Sequence, residues 1–455
     1  MAEIAAGALV AEQVVATGLE AGAAVAVATP TPPIKVSLSQ LGTALADDAS
    51  LALARSSHTV TVIGNRAYIF GGEHADGQLC STDVHAISLP AATSSKSTTT
   101  DYACYPVFPL RDVKTGTTLA PAPRTRHAAC ARGKYMLIHG GCDQSGQPLQ
   151  DEDNCIWLWD SESLIWAKLR GETTQIGTGP MAPRFGHHIF CDETQDLLVL
   201  YGGHSTETET ETETETETET ETETWLYDFH SFVWTTLPRG PAPALAAAMT
   251  DSTLYLISHE TNHPSSSSTT TTTSKELSGT IHRLPLHHST TSREKPHALT
   301  WHTTTFPVSP LTPNPAPRAG GTLVPLTTGM GRNYLVYMFG TDENNIPHYS
   351  DIWALQLPTH GFSAAAAKDA IRDKLPLAGL KSGALTWGEV EVVPTEQSEQ
   401  GGKVHPGPRG LFGAASCLEG KGVVLWGGVN ARGEREGDGW LVRVAYGYAD
   451  EDRWE

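Results

Sequence analysis

Short apolar runs recur along the chain at residues 67–70, 135–139, 197–201, 254–257, 334–339 and 423–426. They are too short for ordinary helices and lack polar alternation, which predicts strands buried on both faces. All but the fourth are followed by glycine: Gly71-Gly72, Gly140-Gly141, Gly202-Gly203, Gly340-Thr341 and Gly427-Gly428. Glycine at a strand end allows a bend and a close backbone approach that a Cβ would block. An arginine phrase lies upstream of each of these five: Arg55 with His58, Pro123-Arg124 with His127, Pro183-Arg184 with His187, Pro317-Arg318, and Pro408-Arg409. A second strand follows each run, at 83–89, 156–160, 225–228, 281–286, 351–357 and 440–444. Trp166, Trp234, Trp301 and Trp387 then mark a further strand, as wedges suited to fill space between sheets.

Six copies of one phrase predict six similar sheets, an all-β, six-bladed β-propeller over residues 31–446. The fourth copy is eroded: residues 241–244 lack the arginine, and Ser258-His259 replaces the glycines. The last copy supplies three strands where a blade needs four. Ile34, Val36 and Leu38 alternate with Lys35 and Ser37, a half-buried strand pattern. This N-terminal segment is expected to pair beside 440–444 as the outer strand of blade six, closing the ring and hiding both edges. Residues 1–30 read as an Ala-rich flexible tail and 447–455 as an acidic tail.

Four low-complexity insertions interrupt the copies: Ser/Thr-rich 91–100, a Thr-Glu alternation over 206–224, Ser/Thr-rich 262–278, and Ala-rich 361–376, where a short helix is expected. The Thr-Glu tract has a strand-like period but no apolar face, so an extended, solvated loop is expected there.

The formal net charge is −20, and nine of the acids lie in the Thr-Glu tract. No basic stripe is present, which argues against a nucleic-acid partner. No apolar run spans a bilayer, so no membrane partner is expected. Seven cysteines without a C-x-x-C pair, and no basic leader before Lys35, point to reduced thiols and a cytoplasmic protein.

The repeated phrase resembles the kelch motif, which implies the same six-bladed fold. Within that family the chain resembles fungal kelch proteins similar to the plant nitrile-specifier proteins. The residues carrying this likeness are 55–58, 68–73, 331–334, 351–353, 426–428 and 434–440. The resemblance implies a lyase assisted by ferrous iron, acting on a small sulfated thio compound. Its metal loop matches residues 341–348, which offer Asp342, Glu343 and His348 at a shorter spacing than the family's and without its middle carboxylate. The residues by themselves call for no cofactor.

The five arginines, Arg55, Arg124, Arg184, Arg318 and Arg409, sit at the entry to the innermost strands. Two readings stand: a ring binding an anion or ligand near the channel, or internal struts bonding carbonyls of a neighbouring blade. The expected function is a monomeric scaffold binding a protein partner through its loop faces. The specifier-like enzyme is the alternative.

Overall fold

The computed structural model describes residues 34–41, 52–90, 101–107, 120–150, 155–173, 181–205, 221–259, 279–286, 299–306, 313–328, 331–342, 346, 349–359, 366–367, 385–394 and 403–445. The two predicted tails lie outside these residues, as does nearly all of the Ala-rich insertion.

Six antiparallel sheets follow one another along the chain. From inner to outer strand, blade one is Thr59–Ile63, Arg66–Phe70, Val84–Ser88 and Tyr102–Tyr105. Blade two is Ala128–Arg132, Tyr135–His139, Ile156–Asp160 and Trp166–Leu169. Blade three is His188–Asp192, Leu197–Tyr201, Thr224–Asp228 and Val233–Leu237. Blade four is Ala246–Thr250, Thr253–His259, Gly279–Pro285 and His302–Thr305, a regular sheet despite its eroded sequence. Blade five is Thr322–Thr327, Asn333–Met338, Ile352–Gln356 and Thr386–Glu389. Blade six is Gly413–Cys417, Gly422–Trp426 and Gly439–Val444, completed by Lys35–Leu41 from the other end of the chain.

That closing strand pairs antiparallel with Gly439–Val444, Val36 opposite Val444 and Leu41 opposite Gly439. Inner strands touch in sequence order, and blade six returns to blade one. Six apolar layers separate the six pairs of neighbouring blades. Val36 and Leu38 enter the layer between blades five and six, and Leu41 enters the one between six and one. Burying each such side chain contributes about 1.5–3 kcal/mol. The N-terminal strand therefore ties three blades together. Among the described residues, no helix is long and apolar enough to cross a membrane.

In blade five the left-handed pair is Phe339 (φ 53) and Gly340 (φ 121), where blades one, two, three and six carry Gly-Gly. The sequence reading put Gly340-Thr341 there, so it is corrected by one residue. The cause is a packing exchange between blades. In blades one, two and six the first glycine abuts the next blade's histidine: a Cβ on Gly71 would lie 2.7 Å from His127 Cε1, one on Gly140 2.7 Å from His187 Cε1, and one on Gly427 2.9 Å from His58 Cε1. Between blades five and six, Phe412 occupies the histidine position and stacks edge-on with Phe339, ring centroids 5.6 Å apart.

Candidate functional site

In each blade the chain runs down the inner strand, up the second, down the third and up the outer one. Arginine phrases, diglycines and the loops between second and third strands therefore share one face. The Thr-Glu tract and residues 262–278 leave from this face, in blades three and four. Insertions 91–100 and 361–376 leave from the opposite face. The described end of the Thr-Glu tract is anchored to the blade: Glu223 accepts from Arg184, and Thr224 opens the third strand.

All five repeat arginines are at most 1% exposed. Four donate to the first glycine of their own blade's pair: Arg55 to Gly71 O (2.9 Å), Arg124 to Gly140 O (2.9 Å), Arg184 to Gly202 O (2.9 Å) and Arg409 to Gly427 O (3.0 Å). The bonds run within a blade, not to its neighbour as the strut reading expected. Three guanidiniums also meet a carboxylate: Arg184 with Glu223, Arg318 with Asp351 and Arg409 with Asp438. Each acid lies two residues before a tryptophan whose Nε1 donates to it, Trp225 at 3.0 Å, Trp353 at 2.6 Å and Trp440 at 2.8 Å. Burial pushes the Asp351 and Asp438 carboxyls up, but the bonds from Arg318 and Arg409 outweigh it and hold both below the ordinary carboxylate range.

Backbone bonds stitch this face together. The second residue of the pair donates to the next blade's arginine carbonyl: Gly72 to Arg124, Gly141 to Arg184, Gly340 to Arg409 and Gly428 to Arg55. Two positions beyond each arginine, left-handed residues form a second belt. Gly186 donates to Arg126, Arg126 to Ser57, Ser57 to Leu411 and Leu411 to Gly320. Among the described residues neither chain of bonds crosses into blade four. There the Tyr201 hydroxyl donates instead to Ala242 O (2.6 Å), at the position of the missing arginine. On the opposite face, Ser252 bonds Asp192, and Asn333 donates to Asp251 Oδ2 (2.7 Å), tying blade four to both neighbours.

Above the diglycines stand short hairpins that the sequence reading missed. Their signal is an Asx or histidine two residues after the pair and a glycine three further on. The copies are His74 with Gly77, Asp143 with Gly146 and Asn430 with Gly433, these glycines lying at φ 76, 78 and 79. The Asx side chain caps its turn: Asp143 Oδ1 accepts from Gln147 N–H (3.0 Å), and Asn430 Oδ1 from Glu434 N–H (3.1 Å). Asp342 does the same in blade five, accepting from Ile346 N–H at 2.9 Å. Asp342 thus stands where an uncharged asparagine serves in blade six. Glu343 and His348, its candidate partners for iron, lie outside the described residues. Among the described residues no group of three histidine, cysteine or carboxylate side chains converges to hold a metal.

The hairpins of blades six, one and two interlock. Gln144 accepts from Leu79 N–H and donates to Gly77 O, both at 2.9 Å. Arg435 donates to Glu73 Oε1 (3.0 Å) and to Ser56 Oγ (3.2 Å). Asp76, Gln78, Ser145, Gln147, Arg432 and Glu434 remain exposed along this wall.

No family model matches the chain. It is similar to the F-box/kelch-repeat protein At1g51550 of Arabidopsis thaliana, 25% identical over 160 residues, 34% of this chain and 29% of that protein. It is also similar to the Rab9 effector protein with kelch motifs of Rattus norvegicus, 31% identical over 84 residues, 18% of this chain and 20% of that protein. The matches thus span less than a third of either relative's length. A solved structure titled "Structure of YjhT" aligns with 85% of this chain and 93% of its own, at 14% identity and a TM-score of 0.48. With the repeats, the six closed blades and the two kelch-bearing relatives in agreement, this chain is a six-bladed β-propeller built from repeats similar to the kelch motif.

Proposed function

We propose that the chain is a protein-interaction scaffold whose recognition surface is the wall of hairpins on blades six, one and two. The observation carrying this reading is the interlock of Arg435 with Glu73 and of Gln144 with Leu79 and Gly77. A surface held rigid before binding loses little entropy when a partner docks. In this reading the five buried arginines are struts that hold the face, and the exposed hairpin tips make the contacts. The name of the rat relative, a Rab9 effector, agrees with a binding role. A cytoplasmic site of action belongs to the same proposal, supported by seven free cysteines.

The test is quantitative affinity capture with three proteins. These are the wild type, a tip variant (Asp76→Ala, Gln78→Ala, Gln147→Ala and Arg432→Ala together) and an opposite-face variant (Leu164→Ser with Phe232→Ser). A partner lost by the tip variant and kept by the opposite-face variant is expected. Equal capture by all three overturns the assignment of the surface.

A further inference from the structure

Blades three and six each carry a fifth strand outside the four that the fold requires. Glu172–Thr173 runs parallel to the outer strand of blade three, with Glu172 beside Val233 and its N–H donating to Phe232 O (3.0 Å). Glu391–Val393 runs parallel to the closing strand of blade six, with Glu391 beside Lys35 and its N–H donating to Ile34 O (2.9 Å). Both additions begin with glutamate followed by a β-branched residue. In both, the glutamate lies beside the first residue of the outer strand and uses the carbonyl just before it. Each comes from the connection that leads out of the preceding blade.

Among the described residues blade four has no such supplier. The connection from blade three, residues 238–245, is described throughout and holds no strand against its edge. The corresponding connections into blades one, two and five contain residues outside the described set. The outer strand of blade four, His302–Thr305, has all four residues exposed. It carries no proline, lysine or carboxylate, the usual means of blocking an edge. The outer strands of blades two and five carry Lys168 and Glu389.

The polarity of this edge follows from its inner partner. Phe306 N–H donates to Gly279 O (2.8 Å), and Thr304 lies opposite Ile281. Alternation then turns His302 and Thr304 inward and leaves the N–H groups of Thr303 and Thr305 pointing out. The carbonyl of Trp301 points out as well, as those of Phe232 and Ile34 do in the two occupied blades.

We propose that the outer strand of blade four accepts an extended segment of a partner protein, added as a parallel fifth strand. The segment is led by an acidic residue beside His302 and continues with β-branched residues. Recognition is by main-chain pairing, with the acid and the alternate side chains setting the register. This edge is distinct from the hairpin wall, and its failure leaves that reading untouched.

The probe is a labelled synthetic peptide with the chain's own segment 388–394, Gly-Glu-Val-Glu-Val-Val-Pro. It is titrated by fluorescence anisotropy against the full chain, with amide exchange followed over 301–306. Saturable binding that slows exchange there is expected. Thr305→Pro removes one outward N–H and no bond to the inner strand. It is expected to weaken binding at least tenfold while leaving the melting temperature unchanged, and a lysine at the central glutamate of the peptide to weaken it severalfold. If Thr305→Pro fails to fold, the exchange measurement on the wild type decides alone. Binding that survives Thr305→Pro overturns the proposal, as does the absence of saturable binding. So does an edge already protected from exchange in the free protein.

Discussion

Acidification should unfold this propeller well before its carboxylates are neutralised. His58, His127, His139 and His187 are all buried beneath the loop face. Burial, with Arg55 second, pulls the His58 imidazole down to about 3, and burial with Arg184 and Arg124 does the same to His139. Burial holds His127 and His187 well below the ordinary range too, helped by Arg124 at the first and by His139 and Arg184 at the second. In the unfolded chain each titrates near 6.5. Between that value and the folded one, only the unfolded chain binds the proton, so stability falls as the pH falls. One such group loses about 1.4 kcal/mol by pH 5.5, and four lose about 5–6 kcal/mol together. Domains of this kind are stable by about 5–15 kcal/mol in all. Calorimetric melts from pH 8 to pH 5 should show a steep fall beginning near pH 6.5, with uptake of at least four protons on unfolding near pH 5, since burial also holds His85, His188 and His282 down at about 4. His58→Gln should make the slope shallower by about one proton. A melting temperature flat from pH 7.5 to 5.5 would refute the claim that these imidazoles are held neutral by the blade packing.

Two further perturbations probe the repeat itself. Gly71→Ala puts a Cβ 2.7 Å from both Arg124 O and His127 Cε1 at a φ of 62, and should cost about 2–4 kcal/mol, read as a lowered denaturant midpoint. Asp438→Ala leaves the fully buried Arg409 guanidinium without its carboxylate. It should cost about 3–5 kcal/mol by the same assay, with Asp438→Asn losing less because the Trp440 bond survives.

The strands were legible because each second strand is an apolar run buried on both faces, as in Leu197–Tyr201. Ring closure was legible in the alternation of Ile34, Val36 and Leu38, since over residues 34–38 these apolar side chains are buried while Lys35 is exposed and Ser37 half-buried. Less local features were hidden. Phe339 in a left-handed conformation has no signature of its own, because its reason is Phe412 on the next blade. Glu223 was concealed inside the Thr-Glu tract, though it does for Arg184 what Asp438 does for Arg409. The arginines were placed correctly at the entry to the inner strands. Their partners could not be read, because carbonyls of glycine carry no side-chain signal. The hairpins did have a signal, the recurring Asx or histidine ahead of a glycine, visible only once the diglycines are aligned.

The central claim is a ring closed by pairing the first strand with the last. Val36 and Val444 face each other in that pairing, flanked by the bonded pair of Lys35 and Ala445. They form the close, non-hydrogen-bonded kind of pair whose Cα spacing suits a disulfide. The measurement is oxidation of a Val36→Cys, Val444→Cys variant, with the cross-link mapped by mass spectrometry. Near-complete cross-linking is predicted, together with a raised melting temperature, while Val36→Cys with Leu441→Cys stays open. No cross-link between 36 and 444 in folded protein, or equal cross-linking of both pairs, would contradict the closure.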